Sequence, residues 1–144
     1  SPDYIKVHGS PETLEELLQR CDAVVLHTAL TGETRNLISG SVLDRVKPGA
    51  LLVNTARGAL VDPGCVLRAL EDERLGGFAS DVFSPEDPNQ SPAARKLLER
   101  DDVIVSSHRA FLSAESEESL RRRVAEGVRS VLREDTPPTE GRVA

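Results

Sequence analysis

Four short apolar runs, separated by patterns of helical spacing, constrain the fold of this chain more than any other feature. Each run is short enough, and rich enough in valine, leucine or phenylalanine, to be a buried strand. The runs cover residues 23–26, 50–53, 78–83 and 103–105. Strands that alternate with helices form right-handed βαβ units, so the sequence predicts an α/β fold with a parallel sheet.

Helix start signals flank these runs. Serine and aspartate can cap the free N–H groups of a helix, and proline fits its first turn. The predicted helices begin at Ser10, at Ser39 or Ser41, at Asp62, at Pro92 and at Ser113. We expect Pro48-Gly49 to end the second helix, Gly76-Gly77 to end the third, and a long last helix to reach about Arg133. The tail, residues 135–144, is not expected to fold.

The acidic charge balance excludes several classes of partner. A net charge of −6 and a pI near 5.1 argue against a nucleic-acid partner, which requires a basic face. The basic run 121–123 shares its helical pattern with Glu117, Glu118 and Glu126, so we interpret it as a solvated helix face. No apolar run reaches the length of a membrane span and no signal-peptide pattern is present, so no membrane partner is expected.

The cysteine content indicates the redox environment. Cys21 and Cys65 are too few and too far apart for a zinc cluster, so no metal site is expected. A reduced, cytoplasmic protein is the simpler interpretation, and a single disulfide is the alternative.

Polar side chains follow the predicted strands where they end. In a parallel sheet, ligands bind at the carboxyl ends of the strands. Arg57, Glu86 and His108 follow three different strands. A histidine can donate or accept a proton, a carboxylate can orient it, and a planar guanidinium can hold an anionic substrate. Taken singly, each residue has a structural alternative: a surface ion pair, a solvated loop acid, and a histidine bonded to a backbone carbonyl.

Four stretches of the sequence together resemble the NAD-dependent D-isomer-specific 2-hydroxyacid dehydrogenases. They are HTALTGETRNLI at 27–38, KPGALLVNTARGALVD at 47–62, GGFASDVFSPEDP at 76–88 and SSHRA at 106–110. The second stretch is very specific, and the four occur in the family's order. The resemblance covers residues 1–134. It implies the C-terminal part of an NAD-binding domain with a partial, doubly wound, Rossmann-like parallel sheet, four βα units and a long C-terminal helix.

The resemblance implies a role for each of the three polar residues. Arg57 would bind the substrate carboxylate, His108 would be the acid/base, and Glu86 would orient His108. Hydride would pass between NAD(H) and C2 of a D-2-hydroxy or 2-oxo acid. The implied cofactor-binding residues are Thr28, Ala29, Leu30, Thr31, Thr34, Thr55, Ala56, Arg57, Asp81 and His108. The family also implies that the parent protein is a homodimer that acts on a small-molecule substrate.

The sequence departs from the family at several positions. Ala29 stands where proline is common, Ser106-Ser107 replace Thr-Pro, and Arg109 replaces an aliphatic residue. The loss of proline removes a fixed φ from the residue before the implied acid/base. The Gly-x-Gly-x-x-Gly turn, which binds the cofactor pyrophosphate in the family, does not occur in these 144 residues.

The chain contains no methionine and begins Ser-Pro-Asp, so we expect it to be part of a longer enzyme and to be inactive alone. Two alternatives to an enzyme stay open. The connection 86–102 and the stretch HRAFLSAES at 108–116 are similar to the dinucleotide-sensing corepressors of the C-terminal-binding-protein type. The other alternative is an inactive, truncated paralogue that acts through dimerisation.

Overall fold

Four parallel strands form one sheet in the order in which they occur in the sequence. The computed structural model describes residues 14–134. The strands are β1 (Ala23–Leu26), β2 (Ala50–Asn54), β3 (Leu75–Ser80) and β4 (Val103–Val105), and their order in the sheet is β1-β2-β3-β4. All three pairings are parallel. The predicted α/β fold with a parallel sheet is therefore confirmed.

One short helix precedes β1, and a short helix connects each pair of consecutive strands. They are α1 (Leu14–Arg20), α2 (Gly40–Leu43), α3 (Pro63–Glu71) and α4 (Pro92–Leu97), with 3-10 turns at Gly58–Leu60 and Pro88–Gln90. The chain divides into two compact units between His108 and Arg109. The sheet and these helices belong to the first unit. The predicted domain boundary at residue 134 stays a prediction, and the predicted tail and the helix start at Ser10 lie outside the described residues.

One face of the sheet carries the core of the first unit. Alternate strand residues such as Val24, Leu52 and Phe78 are buried together with Val66 and Leu70 of α3. The residues between them on the strands point to the other face. There Val25 is 49% exposed and Leu51 is 48% exposed, so the apolar strands are covered fully on one side only within the described residues.

The end of α3 differs from the expectation that Gly76-Gly77 would terminate it. The helix ends at Glu71, and the chain turns at Glu73, which takes a left-handed backbone with φ of 55°. Arg74 N–H then donates to Ala69 O at 2.8 Å, which closes the turn. Gly76 and Gly77 lie inside β3 instead. A Cβ at Gly76 would stand 2.4 Å from Gly49 O, so this glycine allows a close backbone approach.

Other predicted element boundaries also differ from the observed ones by a few residues. Strand β3 begins three residues before the predicted Phe78 and ends at Ser80 rather than Phe83. Helix α2 ends at Leu43. Val46 follows in a turn, and the N–H of Val46 donates to Leu43 O at 3.4 Å. Strand β4 has the predicted bounds.

The second unit contains the long helix predicted after Ser113. Helix α5 spans Ala114–Glu134, and Ser113 Oγ accepts a hydrogen bond from Ser116 N–H at 3.0 Å, as an N-cap does. Its apolar stripe is exposed to solvent along its length, at Leu120, Val124, Val128, Val131 and Leu132. The predicted long helix is therefore confirmed: it begins one residue after Ser113 and continues to the last described residue, Glu134.

Both cysteines are free thiols. Burial of Cys65 raises the pKa of its thiol, and the nearby Asp62 carboxylate raises it further. A buried, protonated thiol is a poor nucleophile. Among the described residues, no helix combines the length and the apolar character needed to cross a bilayer, and no group of three or more potential metal ligands occurs.

The N-cap of α3 yields a prediction about stability. Asp62 accepts hydrogen bonds from Gly64 N–H at 2.8 Å and from Cys65 N–H at 3.1 Å. We expect Asp62→Ala to lower the free energy of unfolding by about 1 kcal/mol, the usual contribution of such a cap. Urea unfolding followed by far-UV circular dichroism measures this change. Ser91→Ala removes a longer cap contact of α4, to Ala94 N–H at 3.3 Å, and should cost less. A larger loss for Ser91→Ala than for Asp62→Ala would contradict this account.

Candidate active site

A histidine and a glutamate from two separate loops meet beyond the carboxyl ends of β3 and β4. His108 Nδ1 lies 3.3 Å from Glu86 Oε1. The side chain of Glu86 is 86% exposed and that of His108 is 48% exposed. An ion pair this exposed contributes little to folding stability because water screens it. The contact does, however, turn Nδ1 of the imidazole toward the carboxylate.

The backbone of His108 is held tightly to the end of β3. His108 has a left-handed backbone with φ of 57°, a conformation that is uncommon outside glycine. Its N–H donates to Asp81 O at 2.9 Å, and Ser106 N–H donates to Ser80 O at 3.1 Å. These two bonds continue the pairing of β3 with β4 past the end of the strands. The histidine is therefore carried by the sheet and not by a loose loop.

Ser106 also binds the carboxylate of Asp81. Its Oγ donates to Asp81 Oδ1 at 2.5 Å, and Asp81 is only 4% exposed. A buried carboxylate is costly unless hydrogen-bond donors reach it. Ser106 stands where the resembling family has threonine, so the hydroxyl is kept although the following proline is not. The departure at Ser106-Ser107 thus leaves the link between β3 and the histidine loop in place.

Arg57 lies in an exposed turn directly after β2. Its backbone is extended, and its Nη1 donates to Ala56 O at 2.7 Å. Thr55 and Ala56 are half-buried between the strand and this arginine. The remaining N–H groups of the guanidinium are the ones that can bind a carboxylate, for which its planar fork is suited.

Asn54 supports this turn and was missed in the sequence analysis. It is the last residue of β2 and only 1% exposed. Its Nδ2 donates to Arg57 O at 3.0 Å, and its Oδ1 accepts from Ala56 N–H at 3.1 Å. The alternation of residues along the strand could have identified it. Ala50, Leu52 and Asn54 lie on the same, buried face of β2, so the amide of Asn54 is expected in the core.

The arginine turn and the glutamate loop pack backbone against backbone. A Cβ at Gly58 would stand 2.1 Å from the carbonyl carbon of Phe83 and 2.6 Å from Ser84 N. Only a residue without a side chain permits this approach. Gly58 follows Arg57, and Phe83 lies three residues before Glu86. The two loops therefore pack directly against each other. Arg57 itself donates its hydrogen bond to Ala56 O and not to the histidine–glutamate pair.

The segment after β1 forms a closed turn of its own. Thr31 N–H donates to Thr34 Oγ1 at 2.7 Å, and Thr34 Oγ1 donates to Ala29 O at 2.8 Å. Asn36 N–H donates to Ala59 O at 2.8 Å, which ties the end of this segment to the 3-10 turn after Arg57. The implied cofactor-binding residues in this segment, from Thr28 to Thr34, are mostly exposed. They therefore lie in a preformed loop beside the β2 end.

The residues present fit the nicotinamide half of a dinucleotide. The end of β2 offers half-buried residues at Thr55 and Ala56, and the carboxylate of Asp81 lies at the end of β3. Together with the histidine, these groups stand at the edge of a parallel sheet where such ligands bind.

Comparisons with known proteins point to one family. Residues 2–110 match the family model described as D-isomer specific 2-hydroxyacid dehydrogenase, NAD binding domain. The (S)-sulfolactate dehydrogenase of Chromohalobacter salexigens is 40% identical over 121 residues, which cover 84% of this chain and 38% of that protein. The D-lactate dehydrogenase kk1H of Curvularia clavata is 36% identical over 124 residues, covering 79% of this chain and 36% of that protein.

Solved structures give the same result for the fold. The crystal structure of D-lactate dehydrogenase from Aquifex aeolicus, complexed with NAD and lactic acid, superposes with a TM-score of 0.82 at 29% identity. The match covers 94% of this chain and 44% of that chain. This chain thus spans less than half the length of the proteins that it matches.

The contact at Gly58 yields the next prediction. We expect Gly58→Ala to lower the free energy of unfolding by about 1–3 kcal/mol, because the added methyl forces the backbone of Phe83 away. Thermal unfolding measures the loss. Gly32→Ala is the matched control, since a Cβ there meets no atom within 4 Å. Equal melting temperatures for Gly58→Ala and Gly32→Ala would show that the two loops do not pack as described.

Proposed function

This chain belongs to the family of D-isomer specific 2-hydroxyacid dehydrogenases, and from that premise we propose that its protein transfers a hydride between NAD(H) and a D-2-hydroxy or 2-oxo acid. The predicted family and its NAD cofactor are confirmed by the family match. The roles of individual residues, the substrate and the activity of the whole protein are part of the proposal. The single observation that supports the residue roles best is the contact of His108 Nδ1 with Glu86 Oε1 at 3.3 Å.

His108 is the acid/base of the proposed reaction. With Nδ1–H donating to Glu86, Nε2 is the atom that gives a proton to the substrate oxygen during reduction and takes it back during oxidation. Glu86 fixes the ring orientation and keeps a carboxylate opposite the ring during the cycle. The hydrogen bond from His108 N–H to Asp81 O fixes the main chain of the histidine at the end of the sheet.

Arg57 binds the substrate carboxylate in this proposal. A guanidinium offers two parallel N–H groups to a carboxylate and stays charged at every working pH. Held there, the carboxylate places the neighbouring carbonyl carbon next to the reacting face, and positioning of this kind lowers the barrier substantially. Its exposed position after β2 leaves it accessible to a ligand.

NAD supplies the hydride acceptor or donor at its nicotinamide ring. Thr55, Ala56 and the carboxylate of Asp81 are the residues that we propose to contact the nicotinamide end, while the loop of residues 28–34 contacts the adenosine side. We further propose that the full-length protein is a homodimer, as the resemblance implies, and that it is cytoplasmic, in keeping with its two cysteines. The residues from 1 to 134 are proposed to form one part of its NAD-binding domain.

Substitution of Arg57 tests the carboxylate contact. We expect Arg57→Lys in the full-length protein to raise KM for the 2-oxo acid about tenfold or more, because lysine offers a point charge in place of a fork. Steady-state kinetics of NADH oxidation measure this change, with Arg45→Lys, on the exposed surface after α2, as the control. Unchanged KM and kcat in Arg57→Lys would mean that Arg57 has only a structural role.

Substitution of Glu86 tests the orienting role. Glu86→Gln keeps the shape of the side chain but removes the charge that faces the imidazolium. We expect kcat/KM for reduction to fall about tenfold or more, within the range that general acid catalysis contributes. Glu99→Gln, which removes another exposed acid just after α4, should leave kcat/KM unchanged. If the two variants behave alike, Glu86 is an ordinary solvated residue and the proposed pair is wrong.

A further inference from the structure

Asn54 is the buried polar residue nearest in sequence to the substrate-binding arginine. It is 1% exposed, and the other buried polar or charged side chains in the described chain are Ser80 and Asp81. A primary amide in an apolar core costs free energy unless its hydrogen-bonding atoms find partners. Its presence at the end of β2, after Leu52 and Val53, therefore requires an explanation.

The amide of Asn54 closes a small ring around the turn that carries Arg57. Nδ2 donates to Arg57 O at 3.0 Å, and Oδ1 accepts from Ala56 N–H at 3.1 Å. One side chain thus fixes the N–H of Ala56 and the carbonyl of Arg57, which lie at the two ends of this two-residue segment. A serine is too short to make both contacts from this position, and an apolar residue can make neither.

The guanidinium is anchored to the same peptide unit. Arg57 Nη1 donates to Ala56 O at 2.7 Å. Ala56 therefore receives the arginine side chain on its carbonyl and is held by Asn54 through its N–H. Any motion of this residue moves the guanidinium, and a shift of about 1 Å in a substrate-positioning group can cost on the order of a hundredfold in rate.

The main chain of Asn54 also connects this turn to the histidine. Asn54 O accepts from Asp81 N–H at 3.0 Å, and Asp81 O accepts from His108 N–H at 2.9 Å. The main chain of Asn54 thus fixes the end of β2 relative to the strand end that holds His108. The side chain of Asn54 in turn fixes the Arg57 turn relative to β2.

We propose that Asn54 is a positioning residue that holds the Ala56–Arg57 turn in the conformation that binds the substrate carboxylate. This inference rests on the proposed function of Arg57. In this proposal Asn54 contacts neither substrate nor cofactor directly, and it acts through the Ala56–Arg57 turn. Its removal should therefore weaken substrate binding through Arg57, and it should weaken NADH binding less, because Ala56 is one of several proposed contacts with the nicotinamide end.

A double-mutant cycle in the full-length protein tests the proposal. KM and kcat for a 2-oxo acid, and the Kd for NADH from nicotinamide fluorescence, are measured for wild type, Asn54→Ala, Arg57→Ala and the double variant. We expect Asn54→Ala to raise KM about tenfold in the wild-type background and less than about twofold in the Arg57→Ala background, because residues that act as a unit are not additive. The same factor in both backgrounds would overturn the proposal.

Two control variants separate positioning from loss of stability. Asn54→Leu fills the same space without hydrogen bonds and should match Asn54→Ala in KM. Leu43→Ala removes a buried side chain of α2 and should lower the melting temperature without raising KM. A rise of KM in Leu43→Ala equal to that in Asn54→Ala would assign the effect to general destabilisation and contradict the inference.

Amide hydrogen exchange distinguishes failure of this inference from failure of the proposed function. If Asn54 holds the turn, the Ala56 amide exchanges faster in Asn54→Ala than in wild type, while the Asp81 amide, bonded to Asn54 O, is protected in both. Unaltered exchange at Ala56 would overturn the positioning role. An unchanged KM in Arg57→Ala would instead overturn the proposed function, and the role of Asn54 in substrate binding with it.

Discussion

Two backbone hydrogen bonds join the ends of three strands, and the candidate site depends on them. Asp81 N–H donates to Asn54 O, and His108 N–H donates to Asp81 O. Both lie just beyond the regular pairing of β2 with β3 and of β3 with β4, so the sheet itself sets the spacing of the arginine, glutamate and histidine loops. Because strands in a sheet are rigid and fixed in register, residues attached to their ends are better placed than residues on long loops.

The polar side-chain contacts at the strand ends each contribute little to folding stability. Their role is to orient the side chains of the candidate site. The His108–Glu86 pair is largely exposed, so water reduces its contribution to stability. Asp81, in contrast, is buried and receives the hydroxyl of Ser106. The approach of Gly58 to Phe83 then locks the arginine turn against the loop that leads to Glu86. His108, Glu86 and Arg57, the residues proposed as acid/base, orienting carboxylate and carboxylate-binding group, are thus supported by packing and backbone hydrogen bonds, as the proposed reaction would require.

The sequence predicts the four strands of the sheet well, but it reveals few of the contacts that hold the loops at the strand ends. The apolar runs locate all four strands, because a strand buried in a parallel sheet needs a continuous apolar stretch. Glycine commonly follows a helix, so the sequence predicts a helix end at Gly76-Gly77. The chain turns instead at Glu73, and Gly76 allows a close backbone approach to Gly49. That contact joins residues far apart in sequence, so no local pattern reveals it. Asn54 was overlooked for a similar reason, since its partners are backbone groups whose positions follow only from the turn.

Transfer of deuterium tests the central claim most directly. The full-length protein is incubated with NADH that carries deuterium at the transferable C4 position and with a panel of 2-oxo acids, and the products are analysed by mass spectrometry and chiral chromatography. The account predicts a D-2-hydroxy acid with one deuterium at C2, formed by wild type and strongly reduced in His108→Ala. A product of L configuration, a product without deuterium, or an undiminished rate in His108→Ala would contradict it.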